Sequence, residues 1–362
     1  MAGKLSGIDV IPLAFERTKN QLIAPFRLRH WIRLALVCLL TGEITGGGGS
    51  WSGANFNLPP PSKSGSSSDF VSLLSPSFDQ LSGYVAWAIL AVIAGVLFGL
   101  VILYVSSIFR FILFDAVLNN RCQLRDGWRR WQRQGSSYFL WQIGFGMTAL
   151  VGLGLLVGGP VFFAWQAGVF QNPDRHIALL IVGGVLMLCV FMLAIIITAV
   201  VAVFAKDFVV PFMALEDKKI LDGWHGFFPL LGQEKGAFAI YVLMKIGLAM
   251  GSALIFGIID FFVILGFLIP VGIVGVAAYF LAVGAGLTWN PISIGIVVVA
   301  GAVVVSLLLF IIAFISVPPM VFFQSYALHF LGSRYDLLGQ AMTPREIPPA
   351  ASLPSTAPIP VT

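Results

Sequence analysis

Charge is what this sequence has least of. Only 10% of its 362 residues are charged, against about 25% in an ordinary soluble domain, and mean hydropathy is +0.95. A soluble core is excluded by those values. Cysteine and histidine are scarce too, at three and four residues. Cys38 and Cys189 stand in apolar stretches and Cys122 in a basic one, which is neither a disulfide framework nor a metal spacing. His30, His176, His225 and His329 are scattered without a second ligand at helical spacing, so no metal and no other cofactor is expected. Nucleophile-elbow, zinc-protease, Walker and dinucleotide fingerprints are all missing. Gly46–Gly49 is followed by no Gly-Lys-Ser/Thr and is a linker by composition. The few carboxylates form no acid/base pair, so the chain is not expected to be an enzyme. Residues 1–20 lack the uninterrupted apolar core of a cleaved leader, and none is expected.

Long apolar runs are what the chain has instead, and 58% of its residues are apolar. Runs above about 18 residues can cross ~30 Å of hydrocarbon. They lack a barrel's apolar/polar alternation, which leaves helices as the spanning element. The expected fold class is all-α: a polytopic transmembrane helix bundle with interfacial amphipathic helices and an internal duplication. Spans are expected at 84–109, 138–168, 177–205, 237–259, 261–283 and 292–317. Gly158-Gly159-Pro160 should kink or break the second of these. Phe26–Glu43 is read as a short tilted span, because the basic N-terminus and the basic segment at 119–134 should both face the cytoplasm.

Three regions follow. Residues 1–25 form an amphipathic N-terminal segment in which Ile8, Ile11, Phe15, Leu22 and Ile23 share a face. It either lies along the membrane surface or packs as an ordinary helix. Residues 26–341 form a helical membrane domain with a Gly/Ser/Pro-rich loop at 44–80, and 342–362 read as a disordered tail.

The organising stretch is Phe111–Gln134, which carries five of the 21 basic residues. Its Asp126-Gly127-Trp128 returns 96 positions later as Asp222-Gly223-Trp224. Tyr, Leu, Ile, Gly and Met coincide between Tyr138–Met147 and Tyr241–Met250. Asn172-Pro173 and Asn290-Pro291 each precede a long span, and Arg110 and Lys206 each mark a span's exit. Repeat units at about 111–205 and 207–317 account for these matches, with a partial third elbow at Val317-Pro318-Pro319 running into Tyr326, His329 and Phe330. Residues 237–317 are nevertheless long enough for three spans, which would send the C-terminus outward. A re-entrant Ile269–Val283 would bring the third elbow back to the cytoplasm, as the repeat demands.

Within the first elbow, Arg121, Arg125, Arg129 and Arg133 are four apart and line one helical face. Trp128 and Trp131 are interfacial by type. These six residues are the candidate contacts to anionic lipid headgroups, with Asp126 capping a second helical piece. The bland alternative is a topology determinant touching lipid unselectively. The net charge of +5 is spread in segments flanking apolar runs, which fits lipid phosphates and no nucleic acid. Gln142, Lys245 and Asp260 are the intramembrane polar candidates. Lys245 and Asp260 are 15 residues apart, ~22 Å along one helix, and cannot pair on a straight rod.

Phe208–Leu231, Pro318–Leu331 with Tyr335-Asp336, and Pro25–Arg33 carry a family likeness. They resemble the membrane domain associated with glycerophosphodiester phosphodiesterases and related uncharacterised bacterial membrane proteins. The resemblance implies a multi-pass bacterial membrane protein of unassigned function, and the inner (plasma) membrane is its expected location. The catalytic domain of that family, with its metal-binding Glu and His residues, is absent, so no catalytic residue carries over.

Two functions are expected from these features. One is a non-enzymatic scaffold or accessory protein whose cytoplasmic elbows contact anionic lipid. The other is a permease for a small solute, motivated by the repeat, the Gly/Pro breaks and Lys245.

Overall fold

The computed structural model describes residues 5–23, 27–42, 78–120, 122–169, 176–286 and 290–342, with side chains omitted at 78–87 and 291–292. Among them every regular element is helical. Five helices are long and apolar enough to cross a membrane, which makes the chain a multi-pass membrane protein of all-α class.

The chain begins with α1 (Val10–Leu22) and α2 (Leu28–Thr41). Four long arms follow in two pairs: α3 (Phe78–Asn119) with α4 (Leu124–Gln166), then α5 (Ile177–Phe204) with α8 (Lys235–Gly284). Between α5 and α8 lie a π-helical turn (Ala205–Val209), α6 (Val210–Glu216) and α7 (Ile220–Gln233). The arm α9 (Pro291–Ile315) leads into α10 (Val317–Gly332) and α11 (Asp336–Met342).

Burial is concentrated at one end. The apolar windows of α3, α4, α5 and α8 contain no buried residue, and that of α9 is 6% buried. The packed base is built from Ile108–Val117 of α3, the segment 205–213 and nearly all of α10. Phe208 is its hub, with Phe227, Phe238, Tyr241 and Phe330 between 5.0 and 5.9 Å away. Such aromatic pairs add about 0.5–1.5 kcal/mol each beyond the area they bury.

Glycine sets how closely the base packs. A Cβ on Gly135 would stand 2.6 Å from Ile108 Cγ1 and 3.1 Å from its Cα, so α4 crosses α3 where no side chain fits. Gly127 and Gly223, the centres of the two Asp-Gly-Trp motifs, do the same against Ile112 and Val209. Both motifs therefore sit where a helix turns back onto the one before it. Each turn uses a left-handed residue, Asn120 at φ 51° and Asp217 at φ 52°.

Several expectations are corrected. Residues 237–259 and 261–283 are one unbroken helix of 50 residues, because a lone Asp260 with no cap or glycine partner does not interrupt helical geometry. Asp260 thus lies within a helix and not at its edge. The arms from α8 and α9 number two, not three, and α10 packs in the base against α1, α2, α3 and the π-helical turn. At 14 residues α2 reaches only about 21 Å, too short to cross alone, and it packs between α3 and α9. The helix continues through both Asp126-Gly127 and Pro160, so neither breaks α4. The loop at 44–77, Asn172-Pro173, Arg121 and the tail from 343 lie outside the described residues.

The N-terminal helix packs on α10, burying Val10, Ala14, Thr18, Gln21 and Leu22. Ile8, Phe15 and Ile23 point outward instead of sharing the buried face. Its polar residues cap α3: Arg17 Nη2 donates to the carbonyls of Val117 and Leu118 at 3.1 Å each. Gln21 Nε2 donates to Ala116 O at 3.0 Å. These carbonyls end a helix and would otherwise lack partners. Burial lowers the pKa of Arg17 from its ordinary value.

Candidate functional site

Polar chemistry gathers at the base in four places. The first is an ion pair between Lys245 Nζ and Asp207 Oδ2, both buried. Tyr241 Oη donates to the same Oδ2 at 2.9 Å. Tyr326 stacks on Tyr241 at 5.0 Å and donates to Gly7 O at 3.0 Å. Asp207 faces inward because it sits on the π-helical turn, which rotates one extra residue into the interior.

The second is its counterpart in the first arm pair. Arg110, 4% exposed, donates to Tyr138 Oη and lies 5.4 Å from that ring's centre. One turn on, Ser107 Oγ donates to Gln142 Oε1 at 3.3 Å. Tyr138 and Gln142 occupy the positions that Tyr241 and Lys245 hold in the later stretch. The structure thus places Gln142 against Ser107 of α3 and Lys245 against Asp207 of the π-helical turn. It does not bring them to Asp260, whose buried Oδ1 has no partner among the described residues.

The third is the exposed basic face of α4. Because α4 is continuous from Leu124, Arg125, Arg129 and Arg133 line one face, with Arg130 beside them, and all four are exposed. Trp128 is half-buried against Tyr104 and Phe109. Trp131 is not a headgroup contact. It is 3% exposed, stacked on Phe111 at 5.8 Å, with the Arg130 guanidinium 4.7 Å from the centre of its own ring. Gly127, Trp131, Gln134, Gly135 and Tyr138 form the buried stripe of α4, and their three-and-four spacing is the signal that marks Trp131 as core.

The fourth was not expected. A cavity of about 350 Å³ opens between the start of α2 and the turn after α3, lined by Gln21, Arg27, Arg29, His30, Arg33, Asn120, Cys122 and Gln123. Arg33 Nη1 donates to Cys122 O at 3.0 Å and Trp31 Nε1 to Leu22 O at 2.9 Å, which fix the first turns of α2 against its neighbours. Among the described residues no carboxylate lines this cavity. Burial, then Arg27 and Arg33, lower the His30 pKa. Burial pushes the Cys122 thiol up to about 11, which leaves it a poor nucleophile. An apolar cavity of about 590 Å³ lies on the other side, between Trp141, Val200, Trp224 and Phe228. No cluster of three metal-ligating side chains occurs among the described residues.

A family model described as a family of unknown function, DUF7544, matches residues 5–340. The chain belongs to that family. No curated protein and no solved structure matches it. The DUF7544 match covers both arm pairs and all of the packed base, so the four polar sites fall within the family's own extent.

Proposed function

We propose that this DUF7544 protein is a non-enzymatic platform of the inner (plasma) membrane, its base and N-terminus on the cytoplasmic side, where it gathers anionic lipid and through it organises partner proteins. The observation that carries the proposal is the exposure of Arg125, Arg129, Arg130 and Arg133 on one stretch of α4, just before that helix becomes apolar at Tyr138. Guanidinium groups at that level meet lipid phosphates, and a base rich in them prefers the cytoplasmic leaflet. Trp128, half-buried beside them, suits the same interface.

An internal duplication is part of this proposal. Its support is the pair of Asp-Gly-Trp motifs, each at the start of a helix with its glycine closed onto the element before it, and the matched Tyr138/Gln142 and Tyr241/Lys245 positions. The likeness to the membrane domain associated with glycerophosphodiester phosphodiesterases fits a membrane platform without catalytic residues. Lys245, which motivated a permease, gives its charge to Asp207 inside the packing.

The test is lipid retention. Protein purified from mixed-lipid nanodiscs should hold anionic lipid above its bulk fraction, and Arg125→Gln/Arg129→Gln/Arg133→Gln should lower that enrichment by at least half. Equal retention by the variant would remove the lipid proposal.

A further inference from the structure

The cavity at the start of α2 is a different surface from the exposed face of α4. Its positive side chains, Arg27, Arg29 and Arg33, come from less than two helical turns. Among the described residues none of the three is ion-paired, and no carboxylate lines the space. Like charges gathered in a concave site raise the local potential and call for an anion. Guanidinium groups are suited to phosphate, which they can grip through two parallel hydrogen bonds.

Two further atoms say more about the anion. Gln21 is 7% exposed, and while its Nε2 caps α3, its Oε1 is buried without a partner among the described residues. His30 Nε2 is likewise buried without one. An amide oxygen only accepts hydrogen bonds, so it gains nothing from a bare phosphate oxygen and needs a donor. Leaving it unsatisfied costs stability, so a ligand hydroxyl that reaches it is rewarded.

We propose that this cavity binds a phosphate ester carrying a free hydroxyl, with Arg27 and Arg29 on the phosphate and Gln21 Oε1 accepting from the hydroxyl. Arg33, committed in part to Cys122 O, closes the cationic wall. The cavity's volume is in the range of small-molecule sites. The lipid form of this ligand, a glycerol-bearing phosphodiester headgroup, rests on the membrane-base proposal above. A soluble hydroxyalkyl phosphate has the same chemistry and needs no lipid.

The experiment titrates the full-length protein in neutral detergent with four probes: short-chain phosphatidylglycerol, short-chain phosphatidylmethanol, glycerol 3-phosphate and inorganic phosphate. Phosphatidylmethanol has the same charge and lacks the hydroxyls. Phosphatidylglycerol should bind about three- to tenfold more tightly than phosphatidylmethanol, the worth of one hydrogen bond. Arg27→Gln/Arg29→Gln should weaken phosphatidylglycerol about tenfold or more, whereas Arg125→Gln/Arg129→Gln/Arg133→Gln should leave this binding within twofold. Glycerol 3-phosphate binding as tightly as the lipid would assign the soluble ester; binding only by the lipid would assign the headgroup. Unchanged affinity in the Arg27/Arg29 variant, with its melting temperature kept, overturns the site. If instead only the α4 triple variant loses binding, the membrane-base proposal survives and this one fails. A folding defect in the Arg27/Arg29 variant is met by Arg27→Lys/Arg29→Lys, which keeps the charge but cannot grip phosphate at two points and should weaken phosphatidylglycerol severalfold; unchanged affinity in that variant overturns guanidinium recognition at the site, and if inorganic phosphate alone accounts for all binding, the hydroxyl assignment is wrong.

Discussion

Lys245 of α8 and Asp207 of the π-helical turn neutralise each other inside the base, with side chains 5% and 2% exposed. The two residues are 38 positions apart in sequence, Lys245 in an apolar stretch and Asp207 next to Lys206. Removing one partner strands a buried charge. Lys245→Met should therefore cost about 3–5 kcal/mol, read as a lowered melting temperature in detergent. The double variant Lys245→Met/Asp207→Leu should recover most of the loss. Full additivity of the two single changes would show that the pair is not coupled.

Tyr241 adds a donor to the same carboxylate. Tyr241→Phe keeps the ring stacked on Tyr326 and removes only the hydroxyl, so the expected loss is about 1.5–3 kcal/mol, the range for hydrogen bonds to charged groups. Thermal melting in the same detergent measures it. A loss equal to that of Lys245→Met would mean that packing, and not the hydrogen bond, is being read.

Gly135 and Gly144 lie on the same helix and should respond oppositely to alanine. At Gly135 the added methyl meets Ile108 at 2.6 Å, including backbone nearby, and overpacking of this kind costs about 1–3 kcal/mol. At Gly144 nothing lies within 4 Å, and the helix should gain up to about 1 kcal/mol in propensity. Melting temperatures of the two variants, moving in opposite directions, are the expected result.

Capping by the N-terminal helix should be visible locally. Arg17→Met frees the carbonyls of Val117 and Leu118. Amide hydrogen exchange around residues 118–124 should accelerate severalfold, while that in α8 stays unchanged. Uniform acceleration across the chain would indicate global destabilisation instead.

Acid should weaken the base through His329. Burial first, then the positive Arg17, holds its pKa at about 4, below the ordinary 6.5. The unfolded chain therefore binds a proton that the folded chain refuses. The stability this gives is present above pH ~6.5 and is lost as pH falls towards about 4. His329→Gln should flatten the melting temperature over that window; an unchanged slope would place the acid sensitivity elsewhere.

Much of this was legible in the sequence because apolar length and helical periodicity are local properties. The apolar arms, and the placing of Asp126-Gly127 and Asp222-Gly223 at the polar elbows between them, follow from them. What was missed is of two kinds. Trp131 was assigned by residue type, although its three-and-four spacing to Gly127, Gln134, Gly135 and Tyr138 marks the packed stripe. Asp207 was passed over although Lys245 in an apolar run needs a carboxylate, and Asp207 lies at the end of the preceding arm. The second kind has no local signature. Arg17 and Gln21 reach carbonyls 95 to 101 residues away, and the cavity of Arg27, Arg29 and Arg33 exists only because α2 docks beside that same turn.

The concentration of burial at one end divides the molecule mechanically. An arm of 50 residues is about 75 Å long, well over twice the ~30 Å oily layer, and its apolar window holds no residue buried against protein. A thicker or thinner bilayer must then be accommodated by leaning ribs about a fixed hub. Tilt measured near Gly284 should follow acyl-chain length, while spacings around Phe208 stay constant.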